Sequence, residues 1–480
     1  MSTVRTTAKN TGVLLLADII SKIFGFFFIM YTARYLGAEG FGILSFALAF
    51  AGIFGIFTDL GLQQLTIREV ARDRALAKKY LGNIGAIKII LVIITFGLIA
   101  LVINILSYPE QTIKVVYLIF LSVIFTAFTQ MFNSIFQAFE KMEYVSIGRT
   151  LNSILLLSGA LFAISQGLNI IAFASLYFLV TAVVLGYSFV ISAWKFVIPK
   201  MEIDWSFWKP TIKEALPFGL SGIFIMIYYW IDSVMLSLLQ GDTVVGWYNA
   251  SYRLVLVLAI IPSAILTSLF PLMSRFYESS EKSLRFSYEK SFKYLLIIAV
   301  PIGVGMTLLA DRIILLVYGS EYTPSIIALQ ILIWSEVLIF LSIVFGNLLN
   351  SINKQIIVTR QTAIAAILNV IMNLLLIPRY SYVGASIATV ATECFAFMFL
   401  LTHTSKMGYN VANRTSLNTL LKIMTASLLM GSFIWYFKNL NLLILIALST
   451  LIYLVIFYVI GGVDKDDILL AKQIILGKNK

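Results

Sequence analysis

Apolar and polar positions alternate along this chain on a long wavelength: fourteen apolar stretches lie between Thr11 and Ile460, separated by short polar gaps. A hydrocarbon core of about 30 Å takes roughly 20 apolar residues per helix, and a helix satisfies every backbone N–H and C=O without water. The pattern predicts spans at Thr11 to Arg34, Phe41 to Leu62, Ile84 to Leu106, Val115 to Phe139, Val145 to Ser165, Ile170 to Trp194 and Ala215 to Leu239. It continues with Tyr248 to Phe270, Tyr294 to Leu316, Ile326 to Leu348, Ile357 to Ile377, Val383 to His403, Leu417 to Phe437 and Leu440 to Ile460. Fourteen such spans use roughly 280 residues, so in a chain of 480 the connections are short and no large soluble domain fits. The expected fold class is all-α, a polytopic membrane protein. No cleavage pattern follows the first span, which is too long for a signal-peptide core and is expected to be retained.

Composition agrees. Hydrophobic residues make up 60% and charged residues 12%, against about 25% charged in globular domains. The single cysteine, Cys394, and the single histidine, His403, exclude a disulfide framework, a Cys/His metal cluster and a Cys–His catalytic pair. The net charge of +12 does not point to nucleic acid, because the basic residues are scattered among the gaps rather than gathered in one patch. Their scatter has an order. Arg5 and Lys9 precede the first span, Arg68 to Lys79 fill the second gap, and Lys141 and Arg149 occupy the fourth. With the sixth, eighth, tenth and twelfth gaps and the tail, alternate gaps hold 27 of the 35 Lys and Arg residues. By the positive-inside rule both termini are expected on the cytoplasmic side of the cell membrane.

Two glycine pairs recur at an offset of 204 residues. Gly37 and Gly42 follow the first span, and Gly241 and Gly246 follow the seventh, each pair five apart. Arg68 and Arg275 echo each other past spans two and eight, as do Lys141 and Lys354 before spans five and eleven. The spacing favours a parallel six-plus-six repeat: an N-lobe over residues 1–203, a C-lobe over 204–404, and spans thirteen and fourteen with a cytoplasmic tail over 405–480. The segment from Lys195 to Leu216 joins the lobes. Its Trp194, Trp205 and Trp208 among charged residues suit an interfacial linker at the headgroup layer.

Ionisable groups inside spans are the informative minority, since each costs roughly 2.5–3.5 kcal/mol at a helix centre. Asp18 and Lys22 are four apart on one face of span one. Asp59 ends span two, Lys88 opens span three, Asp232 lies late in span seven, Arg253 early in span eight, and Glu336 and Glu393 sit within spans ten and twelve. If spans one, two, seven and eight line a common interface, these charges meet in one water-filled cleft. Two other readings stay open: Asp18 and Lys22 as a packing pair, and Asp59, Lys88, Arg253 and Arg34 snorkelling from span ends to water. Gln130, Asn133 and Gln137 in span four are expected to hydrogen-bond between helices rather than to bind a ligand. Pro217, Pro262 and Pro301 predict kinks in the second half. No catalytic set, no glycine-lysine loop for ATP and no cofactor motif is visible, so the chain does not read as an enzyme.

The run from Leu368 to Pro378 (LNVIMNLLLIP), followed by Gly384 to Thr389 (GASIAT), resembles the span eleven to twelve signature of polysaccharide-biosynthesis flippases. These are the Wzx-like transporters of lipid-linked oligosaccharides, within the multidrug/oligosaccharidyl-lipid/polysaccharide exporter superfamily. Tyr35 to Gly42 is similar to the family's segment after span one, as are Asp232 with Gly246 to Arg253, and Phe270-Pro271 with Arg275 at the exit of span eight. The resemblance covers essentially the whole chain and implies two six-helix lobes around a central cavity, with alternating access. It implies as substrate a polyprenyl-(di)phosphate-linked oligosaccharide turned from the inner to the outer leaflet for surface glycan synthesis, with membrane lipids and glycan-assembly proteins as partners and a proton or sodium ion for coupling. On that reading Lys22 and Arg253 contact phosphate or acidic sugar, with Arg34 and Lys88 as further candidates, and Asp18, Asp59 and Asp232 balance charge or carry the coupling ion. A cation-coupled drug or metabolite antiporter of the same superfamily, a flippase for a lipid-linked peptidoglycan precursor and a non-transporting membrane scaffold are the alternatives.

Overall fold

A computed structural model describes the backbone of residues 2–411, 414–464 and 467, and the side chains of the same residues other than 2–16, 18, 267, 268, 414 and 415. Among the described residues there is no strand. The helices are α1 (Ser2–Gly55), α2 (Leu62–Arg72), α3 (Ala77–Ile105), α4 (Glu110–Ala138), α5 (Met142–Ser165), α6 (Ile170–Lys195) and α7 (Trp205–Gln240). They continue as α8 (Asp242–Val257), α9 (Ile260–Ser279), α10 (Glu281–Val317), α11 (Ser325–Ser351), α12 (Gln355–Lys406), α13 (Arg414–Tyr436) and α14 (Leu442–Val459).

Among the described residues, twelve helical segments are long and apolar enough to cross a bilayer, and two of these are double. α1 breaks at Gly37, whose φ of 68° no ordinary helix contains. α12 breaks at Ser381, with φ 53°. At 1.5 Å per residue the 52 residues of α12 measure about 78 Å, more than twice the hydrocarbon thickness, so the helix crosses, turns and crosses again. The all-α polytopic fold is as expected, and fourteen crossings are consistent with it. Of the three expected proline kinks, Pro262 coincides with a break, since the helix stops at Val257 and restarts as α9 at Ile260. Pro217 and Pro301 lie inside continuous helices.

The chain forms two compact units, Met1–Ala250 with Thr362–Ala385, and Ser251–Gln361 with Ser386–Lys480. In the first, the basic second gap is not a loop but the amphipathic helix α2. Leu62, Leu65, Thr66 and Val70 recur at helical spacing and are buried, while Arg68 on the outer face bonds Glu214 at 2.6 Å. The linker is likewise more than interfacial. Trp205 is exposed, but Trp208 is buried and its Nε1 donates to Asn83 Oδ1 at 3.0 Å; the same oxygen accepts the Asp204 N–H at 2.9 Å. The indole therefore anchors the start of α7 on α3 instead of floating in the headgroup layer.

The glycine repeat acquires a physical meaning in this unit. Gly37 and Gly241 both have left-handed φ, 68° and 91°. Gly42 lies so close to the second segment that an added Cβ would run into the carbonyl of Asp242, and a Cβ on Gly246 would run into the carbonyl of Ala38. The contact is reciprocal under the 204-residue offset, since Ala38 corresponds to Asp242 and Gly42 to Gly246. A pseudo-two-fold relation between the two segments produces this pattern.

In the second unit, α10 packs against α11 and α13 around Leu295, Ala299, Phe340, Val344, Phe345 and Ile423. Where the chain leaves α14, Lys290 and Lys293 of α10 grip Asp464 and Asp467: Lys290 Nζ lies 2.9 and 2.7 Å from them, and Lys293 pairs with both. Burial works against the charged form of Asp464, but the bonds from Lys293 and Lys290 outweigh it and hold the carboxyl below its ordinary value.

Two outcomes follow. Gly42→Ala or Gly246→Ala is expected to destabilise the protein by about 1–3 kcal/mol, the usual cost of overpacking, seen as a lower melting temperature in detergent, whereas Gly25→Ala, with open space around it, leaves melting unchanged. Because the Asp464 value is depressed on folding, the grip on α10 is in full force above the unfolded Asp value of about 3.9 and is lost as pH falls below it. Amide protection factors at Asp464 and Asp467, corrected for the intrinsic exchange rate at each pH, should therefore fall in acid, and Lys290→Gln with Lys293→Gln should lower them at pH 7.

Candidate functional site

Three helices of the first unit turn polar stripes toward one another. On α4 the stripe is Ser122, Thr126, Thr129, Gln130, Asn133 and Gln137, on α5 Arg149, Asn152 and Ser153, and on α6 Tyr177, Thr181 and Ser188. The spacings of three, four, seven and eight place each set on one helical face. Between them is a cavity of about 590 Å³, completed by Ser21 and Gly52 of α1, Gln63 of α2 and Trp230 of α7. Gly52 leaves room for the indole, since a Cβ there would stand 3.0 Å from Trp230 Nε1. A second recess of about 440 Å³ shares Gly52, Gln63, Thr126 and Gln130 and reaches Asp59.

Most hydroxyls on these stripes spend their protons on their own helices. Ser122 donates to the Ile119 carbonyl at 2.6 Å, Thr126 to Ser122 at 2.8 Å and Thr129 to Phe125 at 2.9 Å, leaving lone pairs to the cavity. The amides of Gln130, Asn133, Gln137 and Asn152 make no hydrogen bond to any described residue. The interhelical bonds expected of the α4 amides are therefore not there, and these side chains face the cavity instead. Ser21 Oγ and Ser188 Oγ are buried and also lack a partner among the described residues. Sequence reasoning missed Asn152, Ser188 and Trp230, and read Arg149 as a topology charge. The signal was present as polar residues at helical spacing on three successive spans.

The ionisable candidates separate into distinct environments. Lys88 does not snorkel: its side chain is fully enclosed and pairs with Asp59 Oδ1 at 2.5 Å. Asp59 also accepts the Gln63 N–H at 3.2 Å, which ties the ion pair to the first turn of α2. Lys22 is half-buried and Arg34 exposed. In the second unit Arg253 is half-buried, and its charge bears on the buried phenol of Tyr318, while Glu336 and Glu393 are buried. The Asp18 side chain lies outside the described residues.

Asp232 bonds two neutral side chains. Its Oδ2 accepts the Tyr248 hydroxyl at 2.6 Å and its Oδ1 accepts Asn373 Nδ2 at 2.6 Å, and the same Nδ2 donates to Asn369 Oδ1 at 3.0 Å. Asp232, Tyr248, Asn369 and Asn373 are all at most 5% exposed. Two acceptors fix the Asn373 amide with its nitrogen toward them, and its Oδ1 is left buried without a donor among the described residues. A buried amide oxygen without a donor among the described residues thus stands next to a buried carboxylate. The i, i+4 pair Asn369 and Asn373 inside an apolar span was the visible signal for it.

Residues 7–277 match the family model described as Polysaccharide biosynthesis protein, and residues 217–375 match the MatE model. The chain is 25% identical over 448 residues, 90% of each chain, to a probable low-salt glycan biosynthesis flippase, Agl15, of Haloferax volcanii. It is 27% identical over 309 residues to a putative O-antigen transporter of Shigella flexneri, covering 61% of this chain and 72% of that one. Among solved structures, the lipid II flippase MurJ in an inward closed conformation superposes with a TM-score of 0.75 at 16% identity, over 93% of this chain and 98% of that one. An inward-facing MATE multidrug transporter gives 0.65 at 16% identity, over 81% and 95%. At those identities the structural likeness is one of fold.

The ion pair generates a stability prediction. Lys88→Met leaves the largely buried Asp59 carboxylate without its cation and is expected to cost about 3–5 kcal/mol, whereas Lys88→Met combined with Asp59→Leu recovers most of it. Thermal unfolding of the two single variants and the double variant in detergent measures the difference.

Proposed function

This chain belongs to the polysaccharide biosynthesis protein family, and from that premise we propose that it is a flippase. It moves a polyprenyl-(di)phosphate-linked oligosaccharide across the cell membrane by alternating access of an N-lobe (1–203) and a C-lobe (204–404), with residues 405–480 as spans thirteen and fourteen and a tail, and both termini cytoplasmic. The observation that carries the reading is the cavity lined by amides and hydroxyls within membrane-spanning helices. A lipid headgroup made of sugars needs a polar, hydrated path, and its prenyl tail needs none.

The candidate charges take roles within that scheme. Lys22 and Arg253 meet the phosphate or an acidic sugar, with Arg34 as a further cation. Lys88 is bound to Asp59, so its contribution is to hold α3 against the start of α2 and keep the neighbouring recess in shape. Asp232, with the oxygens of Asn369 and Asn373, takes the coupling sodium ion or proton, and Asp18 balances the charge of Lys22. A drug antiporter fits less well, because cationic drugs require an open carboxylate, whereas Asp59 is engaged by Lys88 and Asp232 is enclosed.

Vesicles containing only this protein, with a fluorescent polyprenyl-diphosphate oligosaccharide in the starting leaflet, test the reading. The labelled headgroup should become accessible to an impermeant quencher on the far side. Lys22→Ala and Arg253→Ala should slow that transfer at least about tenfold, on the scale of one lost charge-assisted contact, while inserting normally. Asp232→Asn should remove its dependence on an imposed sodium or proton gradient. Transfer of a cationic dye or of lipid II in place of the oligosaccharide lipid would overturn the assignment.

A further inference from the structure

We propose that the cavity in the first unit is the sugar-reading site and that it selects neutral, polyhydroxylated glycans, an inference that rests on the flippase reading and specifies its substrate. A sugar hydroxyl both donates and accepts. Side-chain amides match that chemistry, with two donors and two lone pairs each, whereas a carboxylate only accepts and an ammonium only donates. Among the described residues, the lining of the larger cavity contains Gln63, Gln130, Asn133, Gln137 and Asn152, one cation, Arg149, and no carboxylate.

Several of these groups await a partner. The amides of Gln130, Asn133, Gln137 and Asn152 bond no described residue, and Ser188, 1% exposed, turns an unpartnered hydroxyl into the same cavity. Groups that served helix packing would be paired with the adjacent helix. From Gln130 to Gln137 the helix rises about 10 Å, so the ladder serves more than one sugar ring. Trp230 and Tyr177 line the same cavity and supply flat surface for the C–H faces of pyranose rings. At about 590 Å³ the space lies within the roughly 300–1,000 Å³ of small-ligand sites. Ring hydroxyls bond the α4 and α5 amides and Ser188, the apolar ring faces lie on the aromatic side chains, and of the three carboxylates of a triuronate one can pair with Arg149 while the others meet amides that do not neutralise them.

Binding and flipping are measured separately, so that failure of one reading does not count against the other. Purified protein in nanodiscs is titrated with maltotriose, N,N′,N″-triacetylchitotriose, trigalacturonate and ethidium, following tryptophan fluorescence with Trp230→Phe as the reporter control. At least one neutral trisaccharide should bind saturably and at least about tenfold more tightly than trigalacturonate or ethidium, and Asn133→Leu with Gln137→Leu should weaken it at least about tenfold, the scale of one or two lost hydrogen bonds. Ser188→Ala loses no bond in the free protein, so it should weaken the sugar without lowering the melting temperature, which separates recognition from folding. Absence of neutral-sugar binding, tighter binding of the uronate or the dye, or indifference to all three substitutions overturns the proposal. Flipping of the lipid-linked oligosaccharide without neutral-sugar binding would leave the flippase standing and remove this site; sugar binding without flipping would do the reverse.

Discussion

The hydrocarbon interior offers no water, so each polar group placed there must be answered by the chain or opened to a hydrated space. That constraint sorts the intramembrane chemistry of this protein. Lys88 and Asp59 answer each other, and the Asp59 carboxylate is further anchored by a backbone N–H of α2. Asp232 is answered by a phenol and an amide, at the expense of an oxygen on Asn373 that has no donor among the described residues. The amides of α4 and α5 are not answered by neighbouring helices, and their stripes are where the cavity lies. The same rule that forces the backbone into helices thus separates side chains that hold the unit together from side chains available to a ligand.

A second constraint is proximity. Gly42 and Gly246 bring two segments so close that a methyl group at either place meets a carbonyl of the other, and Gly37 and Gly241 supply the left-handed turns that precede them. Small residues at such crossings let dispersion contacts and backbone geometry replace the hydrophobic drive that is weak between helices in lipid. Reciprocity matters here, because one geometric solution serves twice and a substitution on one side leaves its counterpart mismatched.

Much of this was legible in the apolar pattern. Span length and alternate basic gaps marked the membrane class, and glycine spacing marked the two related segments. Other features depended on contacts that spacing does not encode. α2 was hidden because the density of Arg68, Arg72 and Arg74 resembles a loop, although Leu62, Leu65 and Val70 carry its buried face. Trp208 shares its composition with an interfacial tryptophan, and only Asn83, 125 residues away in sequence, makes it an anchor. Lys88 and Asp59 stand at two span ends where snorkelling is open to both, and their mutual distance decides against it for Lys88. Gln130, Asn133 and Gln137 show the limit most clearly: a polar stripe is the same in sequence whether it faces a helix or a cavity.

The separation of charge from amide bears on how a flippase turns over. A site that neutralised the whole headgroup with cations would hold an anionic glycolipid strongly in one state and resist its release in the next, since a ligand drives a conformational equilibrium only by its differential affinity for the two states. Neutral amides avoid that trap. Each contributes a hydrogen bond exchanged against water, a modest net gain of about 0.5–1.5 kcal/mol, so several read the shape of a glycan without binding it irreversibly. In the proposed scheme the strongest electrostatic contact is with the phosphate, which every substrate of this kind carries and which conveys no information about the sugar. Under that proposal selectivity and the force on the headgroup reside in different residues, and one class can vary without disturbing the other.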